Sequence, residues 1–185
     1  MKNHIGVSKT EVLKLLRKIS IDAVVETIEN LAFMEVIPEN VLTPYDENLE
    51  RLRAAILINE PFTGELRLIF TKQLIRRMIA NACQSSDGIL PEVCNNIKST
   101  SASDISDKML EDMLAELVNI IAGRIMKALI PEKLDFKIGL PEIGEDIFLE
   151  TDGASLCLEF ISEGSPFWMV AFGDGFLNAD FHLAS

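Results

Sequence analysis

Four residues hold the chemistry this chain can offer: Asp112, Glu116, Asn119 and Gly123, spaced four, three and four apart. An α-helix turns about 100° per residue, so Glu116 falls at about 40°, Asn119 at about -20° and Gly123 at about 20° from Asp112. All four share one narrow line. A carboxylate and an amide one turn apart form a usable pair. The amide has an acceptor and two donors, so it can orient a water molecule. The carboxylate can accept a lysine from a docked partner. What is missing matters as much. The only histidines, His4 and His182, lie near the termini, and Cys83, Cys94 and Cys157 form no Cys-x-x-Cys pair. A His-dependent triad or a His/Cys zinc site is hard to build from these. Glu116 and Asn119 therefore make sense as a catalytic pair only when a partner brings the electrophile and the metal.

The segment that must position them, "EDMLAELVNIIAGRIMKAL" (111–129), is apolar over most of its circumference. Leu110, Leu114, Leu117, Ile121 and Ile125 fill the other sides, and Lys108 and Lys127 mark the ends of the polar line. A surface helix ordinarily has a wider polar face. Small residues flank the line: Ala115, Ala122 and Gly123. They would let the backbone of another protein approach. A mid-helix glycine costs roughly 1 kcal/mol against alanine. Like charges at Asp112 and Glu116 cost a few tenths more, roughly 0.2–0.5 kcal/mol. A plain solvated face would explain the carboxylates, and close internal packing would explain Gly123. The narrowness of the stripe argues for a binding surface, with Asp112, Ala115 and Gly123 shaping it.

The rest of the chain supplies a scaffold. Residues 9–34 have helical spacing, with Ser8 and Glu11 placed as a capping box. "FMEVIPENV" reads as extended, and "RLRAAILINEPFTGELRLIF" as two strands around a turn at Pro61 to Gly64. "TKQLIRRMIANAC" returns to helical spacing. Residues 84–107, rich in Ser, Asn and Asp, read as a long surface connection with a short helical turn around "PEVCNN". Ser103 or Asp104 is placed to cap the next helix, which runs to Ile130 and stops at Pro131. "LDFKIGLP", "ASLCLEFIS", "FWMVAFG" and "FLNADFHLA" follow as strands, the middle two forming a hairpin around "EGSP".

The order helix, strands, connection, helix, strands suggests a repeat. Laying "DAVVETIEN" (22–30) on "DMLAELVNI" (112–120) puts Asp22 on Asp112, Glu26 on Glu116 and Glu29 on Asn119. We expect an α+β fold: one domain over residues 1–185, with long helices packed on a mostly antiparallel sheet. Its two pseudo-symmetric helix-plus-strands halves would cover about 9–83 and 104–183. The first half, with Glu29 in the amide position, should lack a second site.

Composition sets the outer limits. Of 185 residues, 48% are apolar and 25% charged, which is globular rather than disordered. The net charge of -12 and the lack of basic runs exclude nucleic acid as a partner. No segment approaches the roughly 18–20 apolar residues of a membrane span. An odd number of cysteines rules out a full disulfide framework and suits a reducing compartment, so we expect a cytoplasmic location. The single Trp168 and the Phe-rich C-terminal strands suit a core rather than a ligand box.

"DMLAELVNIIAG" resembles the signature of the CheC, CheX and FliY phosphatases of bacterial chemotaxis. Their pattern is Asp or Ser, Glu four residues on, Asn three further, then Gly. Asp112, Glu116, Asn119 and Gly123 match it, and Pro131 fits the helix end. The resemblance extends more loosely over about residues 12–175. One full motif, in the second half, is the CheX arrangement. The family usually follows the Gly with Asn; here Arg124 stands there, off the stripe. The resemblance implies a hydrolase acting on the aspartyl phosphate of a CheY-type response regulator. Glu116 would pair with the regulator's active-site lysine, and Asn119 would position the attacking water. No cofactor of its own is implied, because the regulator brings the Mg²⁺. The implied partners are the phosphorylated receiver domain and a second copy in a homodimer. The alternative is a non-catalytic receiver-binding adaptor or flagellar motor-associated module using the same helix face. Retention of Asn119 argues against it, since docking alone needs only the carboxylate.

Overall fold

The computed structural model describes residues 8–40, 46, 48–84, 105–145 and 150–177. The elements run α1 (Lys9–Ala32), β1 (Ile37–Glu39), β2 (Arg51–Glu60), β3 (Gly64–Thr71), α2 (Lys72–Gln84), α3 (Asp107–Leu129), β4 (Lys137–Ile138), β5 (Glu142–Glu145), β6 (Ala154–Ser162) and β7 (Ser165–Phe172). A 3₁₀ turn, Asp174–Leu177, follows. Most of the 84–107 connection and the end of "FLNADFHLA" lie outside the described residues. So does "PEVCNN".

Helix α1 begins as its sequence dictates. The Ser8 side chain accepts the Glu11 N–H, and the Glu11 carboxylate reaches back to the Ser8 N–H at 2.9 Å. That backbone bond, then the bond from the Ser8 hydroxyl, holds the Glu11 carboxyl below its usual range. The helix ends at Phe33, whose φ of 54° is left-handed. Helix α3 is capped by Ser106, not Ser103 or Asp104: its side chain accepts the Met109 N–H at 3.4 Å. The choice follows from Ile105, just before the cap, and Leu110, four positions after it. Both are buried in the core, in the arrangement of a hydrophobic staple.

The sheet has seven strands, and every described pairing is antiparallel. Strand order is β1-β6-β7-β3-β2, with β4 and β5 end to end along the outer edge of β2. The centre is the β3–β7 pair, one strand from each half. Around it the order is the same read from either side: hairpin, then an edge strand. The edge strands are exchanged. β1 of the first half completes the second half's hairpin, and β5 of the second half completes the first's. The helices follow suit, with α3 packing on β2 and β3 and α1 on β6. This is the α+β architecture with pseudo-symmetric halves expected from the sequence.

Strand alternation places Leu52, Ala54, Ile56, Ile58, Leu66, Leu68, Phe70, Leu158, Phe160, Phe167 and Met169 in the main core with the helices. The Phe167 ring stacks between Phe70 at 4.4 Å and Phe160 at 5.1 Å. A smaller cluster of Ile69, Trp168 and Val170 covers the other face. There the Trp168 indole N–H donates to the buried Glu159 carboxylate at 3.1 Å, and the Arg51 guanidinium lies 5.4 Å from the ring centre. Trp168 is thus a core residue. The β6–β7 turn uses Glu163 and Gly164, both at positive φ, as a two-residue hairpin requires.

Three sequence expectations are corrected. "LDFKIGLP" yields only the two-residue β4, because Pro141 interrupts the edge, and β5 forms beyond it unforeseen. "FLNADFHLA" does not begin as a strand: Phe176 is buried in the 3₁₀ turn, edge-on to Phe62 at 5.1 Å. Helix α1 stops two residues earlier than its periodicity suggests, at the left-handed Phe33. No described helix is long and apolar enough to cross a membrane.

Candidate functional site

Helix α3 is buried on most of its circumference: Leu110, Met113, Leu114, Leu117, Val118, Ile121, Ala122, Ile125 and Met126 all face the core. One line is left open. Asp112, Glu116 and Asn119 are exposed, and Ala115 and Gly123 are half-buried beside them. Ala122 is not part of the opening. It is fully buried: by the helix period it lies about 80° from Asp112 and about 100° from Gly123, on the side packed into the core. The small flank is therefore Ala115 and Gly123 alone.

Gly123 has no internal reason to be glycine. A methyl group built there meets nothing within 4 Å. Close helix or strand packing inside the fold is thus excluded as its cause among the described residues. Asp112 is not left facing Glu116 alone: Lys108 Nζ stands 3.5 Å from its Oδ1, one turn earlier. Glu116 and Asn119 engage no described residue by hydrogen bond or ion pair. Both are free to meet something outside the chain.

The corresponding face of α1 is different at every position but one. Asp22 is exposed. Glu26 Oε2 accepts from Arg124 Nη1 of α3 at 3.0 Å. Glu29, in the amide position, turns its carboxylate to the Val36 N–H at 3.4 Å, helping to hold the chain after the helix. Between the two helices runs a groove of about 340 Å³, lined by Ile19, Asp22, Glu26, Arg124, Lys127 and Ala128. Arg124 is the residue that sequence reasoning set aside as merely off the stripe. Its partner lies 98 positions away in the chain, so no local signal could reveal the contact.

No group of three or more His, Cys, Asp or Glu among the described residues could hold a metal ion. The site thus consists of an exposed carboxylate, an exposed amide and a bare patch of helix backbone. Such a surface can bind and orient. Hydrolysis needs an electrophile from elsewhere.

No protein-family model matches the chain, and no curated protein does. Solved structures do. The chemotaxis protein CheX from Vibrio vulnificus superposes with a TM-score of 0.61 at 12% identity, covering 85% of this chain and 97% of that one. A CheC-like superfamily protein from a Shewanella species gives 0.60 at 16% identity, covering 86% and 98%. A chain of the CheX–CheY–BeF3–Mg²⁺ complex from Borrelia burgdorferi gives 0.57 at 14% identity, covering 84% and 96%. With exchanged edge strands, two long helices on one face and nearly the whole length of each relative matched, the chain has the fold of the CheX and CheC-like chemotaxis proteins.

Proposed function

We propose that this chain is a phosphatase acting on the aspartyl phosphate of a CheY-type receiver domain. The observation that carries the reading is an asymmetry. Glu116 and Asn119 are exposed and unengaged, whereas their counterparts Glu26 and Glu29 are both tied up within the fold. The Borrelia structure supports a receiver as the partner, since it is a complex of CheX with CheY, BeF3 and Mg²⁺.

In the proposed reaction α3 docks its stripe on the receiver. Glu116 pairs with the receiver's active-site lysine and fixes the register. Asn119 enters the site and holds a water in line with the phosphorus. Water attacks, the acyl oxygen–phosphorus bond breaks, and the aspartate carboxylate and inorganic phosphate leave. The receiver's own Mg²⁺ balances the phosphoryl charge. Asp112, Ala115 and Gly123 set the shape of the approach. This is catalysis by positioning, and removal of such a group typically costs on the order of 10²-fold or more. A homodimer is part of the reading. It would use the sheet face away from the helices, where Ile37 and Leu57 are exposed.

The test is the decay of acyl phosphate from a phosphorylated CheY-type receiver of the same genome. Wild-type protein should accelerate it, and Asn119→Ala should abolish the acceleration while still binding. Glu116→Lys should abolish binding. Binding of the phosphorylated receiver by wild type without any acceleration would replace the phosphatase with a docking adaptor.

A further inference from the structure

The α1 copy of the stripe still carries two of its carboxylates, Asp22 and Glu26, on an exposed helix face. By the pairing rule proposed for Glu116, an exposed Glu26 would accept a lysine from a second receiver. It is already occupied. Arg124 Nη1 holds Glu26 Oε2 at 3.0 Å, with the two side chains 39% and 67% exposed. Lys127 lines the same groove and adds positive charge beside the pair. An arginine in this position satisfies the carboxylate as an incoming ammonium would, and a second cation arriving there meets repulsion. The α3 copy has no such occupant: Glu116 pairs with no described residue.

We propose that Arg124 is an internal substitute for the partner's lysine, which closes the α1 face and restricts the chain to one receiver at a time, docked on α3. The proposal rests on the receiver reading above. It assigns Arg124 a specificity role rather than a catalytic one. Glu29 would keep the α1 face from turning over a bound receiver even when opened, because a carboxylate cannot donate a hydrogen bond to the water as an amide does.

The experiment counts receivers per chain by titration calorimetry and sedimentation, using a BeF3-activated, Mg²⁺-loaded CheY-type receiver. Wild type and Arg124→Lys, which keeps the cation, should bind one. Arg124→Asn should bind a second, weaker one, and adding Glu26→Gln should remove it again. Acyl-phosphate turnover per chain should be unchanged in Arg124→Asn, because the opened face lacks the amide. The pair is largely solvent-exposed, so its loss should leave the fold intact. A stoichiometry of one in Arg124→Asn, or of two in wild type, would overturn the proposal and leave the phosphatase reading standing. Absence of any binding by wild type would overturn both.

Discussion

Gly123 offers a test in which stability and function move in opposite directions. It lies within the 23-residue helix α3, half-buried, and a methyl group there would meet nothing within 4 Å. Gly123→Ala therefore removes the backbone-entropy penalty of a helical glycine and adds no clash. The expected gain is about 0.8–1 kcal/mol. For a chain of 185 residues that raises the melting temperature by roughly 2–4 °C. A docked partner meets the same methyl from outside. If receiver backbone approaches the bare patch, overpacking there costs about 1–3 kcal/mol, or roughly 5- to 150-fold in affinity. Thermal unfolding and receiver binding, measured on the same preparation, check the two halves of the argument. A melting temperature that stays level or falls would refute the open-space reasoning. A stabilised variant that binds as well as wild type would refute close approach at Gly123.

Two further expectations concern the scaffold. Trp168→Phe removes the indole hydrogen bond to buried Glu159, and should cost about 1–3 kcal/mol in urea unfolding; an unchanged midpoint would show that the indole N–H contributes nothing. Glu11→Gln should blunt the acid sensitivity of α1: because the folded carboxyl titrates below its usual range, its contribution is fully present above the ordinary glutamate value and lost as pH falls through the lower folded one. Melting curves across that range should fall slightly more steeply for wild type than for the variant, and parallel curves would refute the capping role.

The features legible in the sequence were those with a local cause. The capping box at Ser8 and Glu11, the β2–β3 and β6–β7 hairpins and the open line of α3 all follow from neighbouring residues. The repeat was visible because two helices share a pattern of carboxylates. What stayed hidden depends on long-range partners. A strand as short as β5 carries too little pattern to announce itself, and although the stretch around β1 reads as extended, the exchange of β1 and β5 between halves leaves no local mark. Ala122 looked like part of the open flank because helical angle alone does not say which side the sheet lies on. The ion pair of Arg124 with Glu26 needed the packing of α1 beside α3. "FLNADFHLA" has alternating apolar residues, yet Phe176 is drawn into the core by Phe62 instead of pairing with a neighbour.

The exchange of edge strands ties the fate of the two halves together. Cut apart, each would keep a central hairpin but lose the strand that covers its outer side, leaving backbone groups open to any passing chain. Neither half is a free-standing unit, and unfolding of one strips the other of its border. Scaffold duty is therefore compulsory for both copies, whereas the work at the helix surface needs only one. A chain built this way can turn one helix face to internal fastening, as Glu26 and Glu29 are used here, without putting the architecture at risk. The pseudo-symmetric frame thus needs both helices, whichever of their outer faces is put to use.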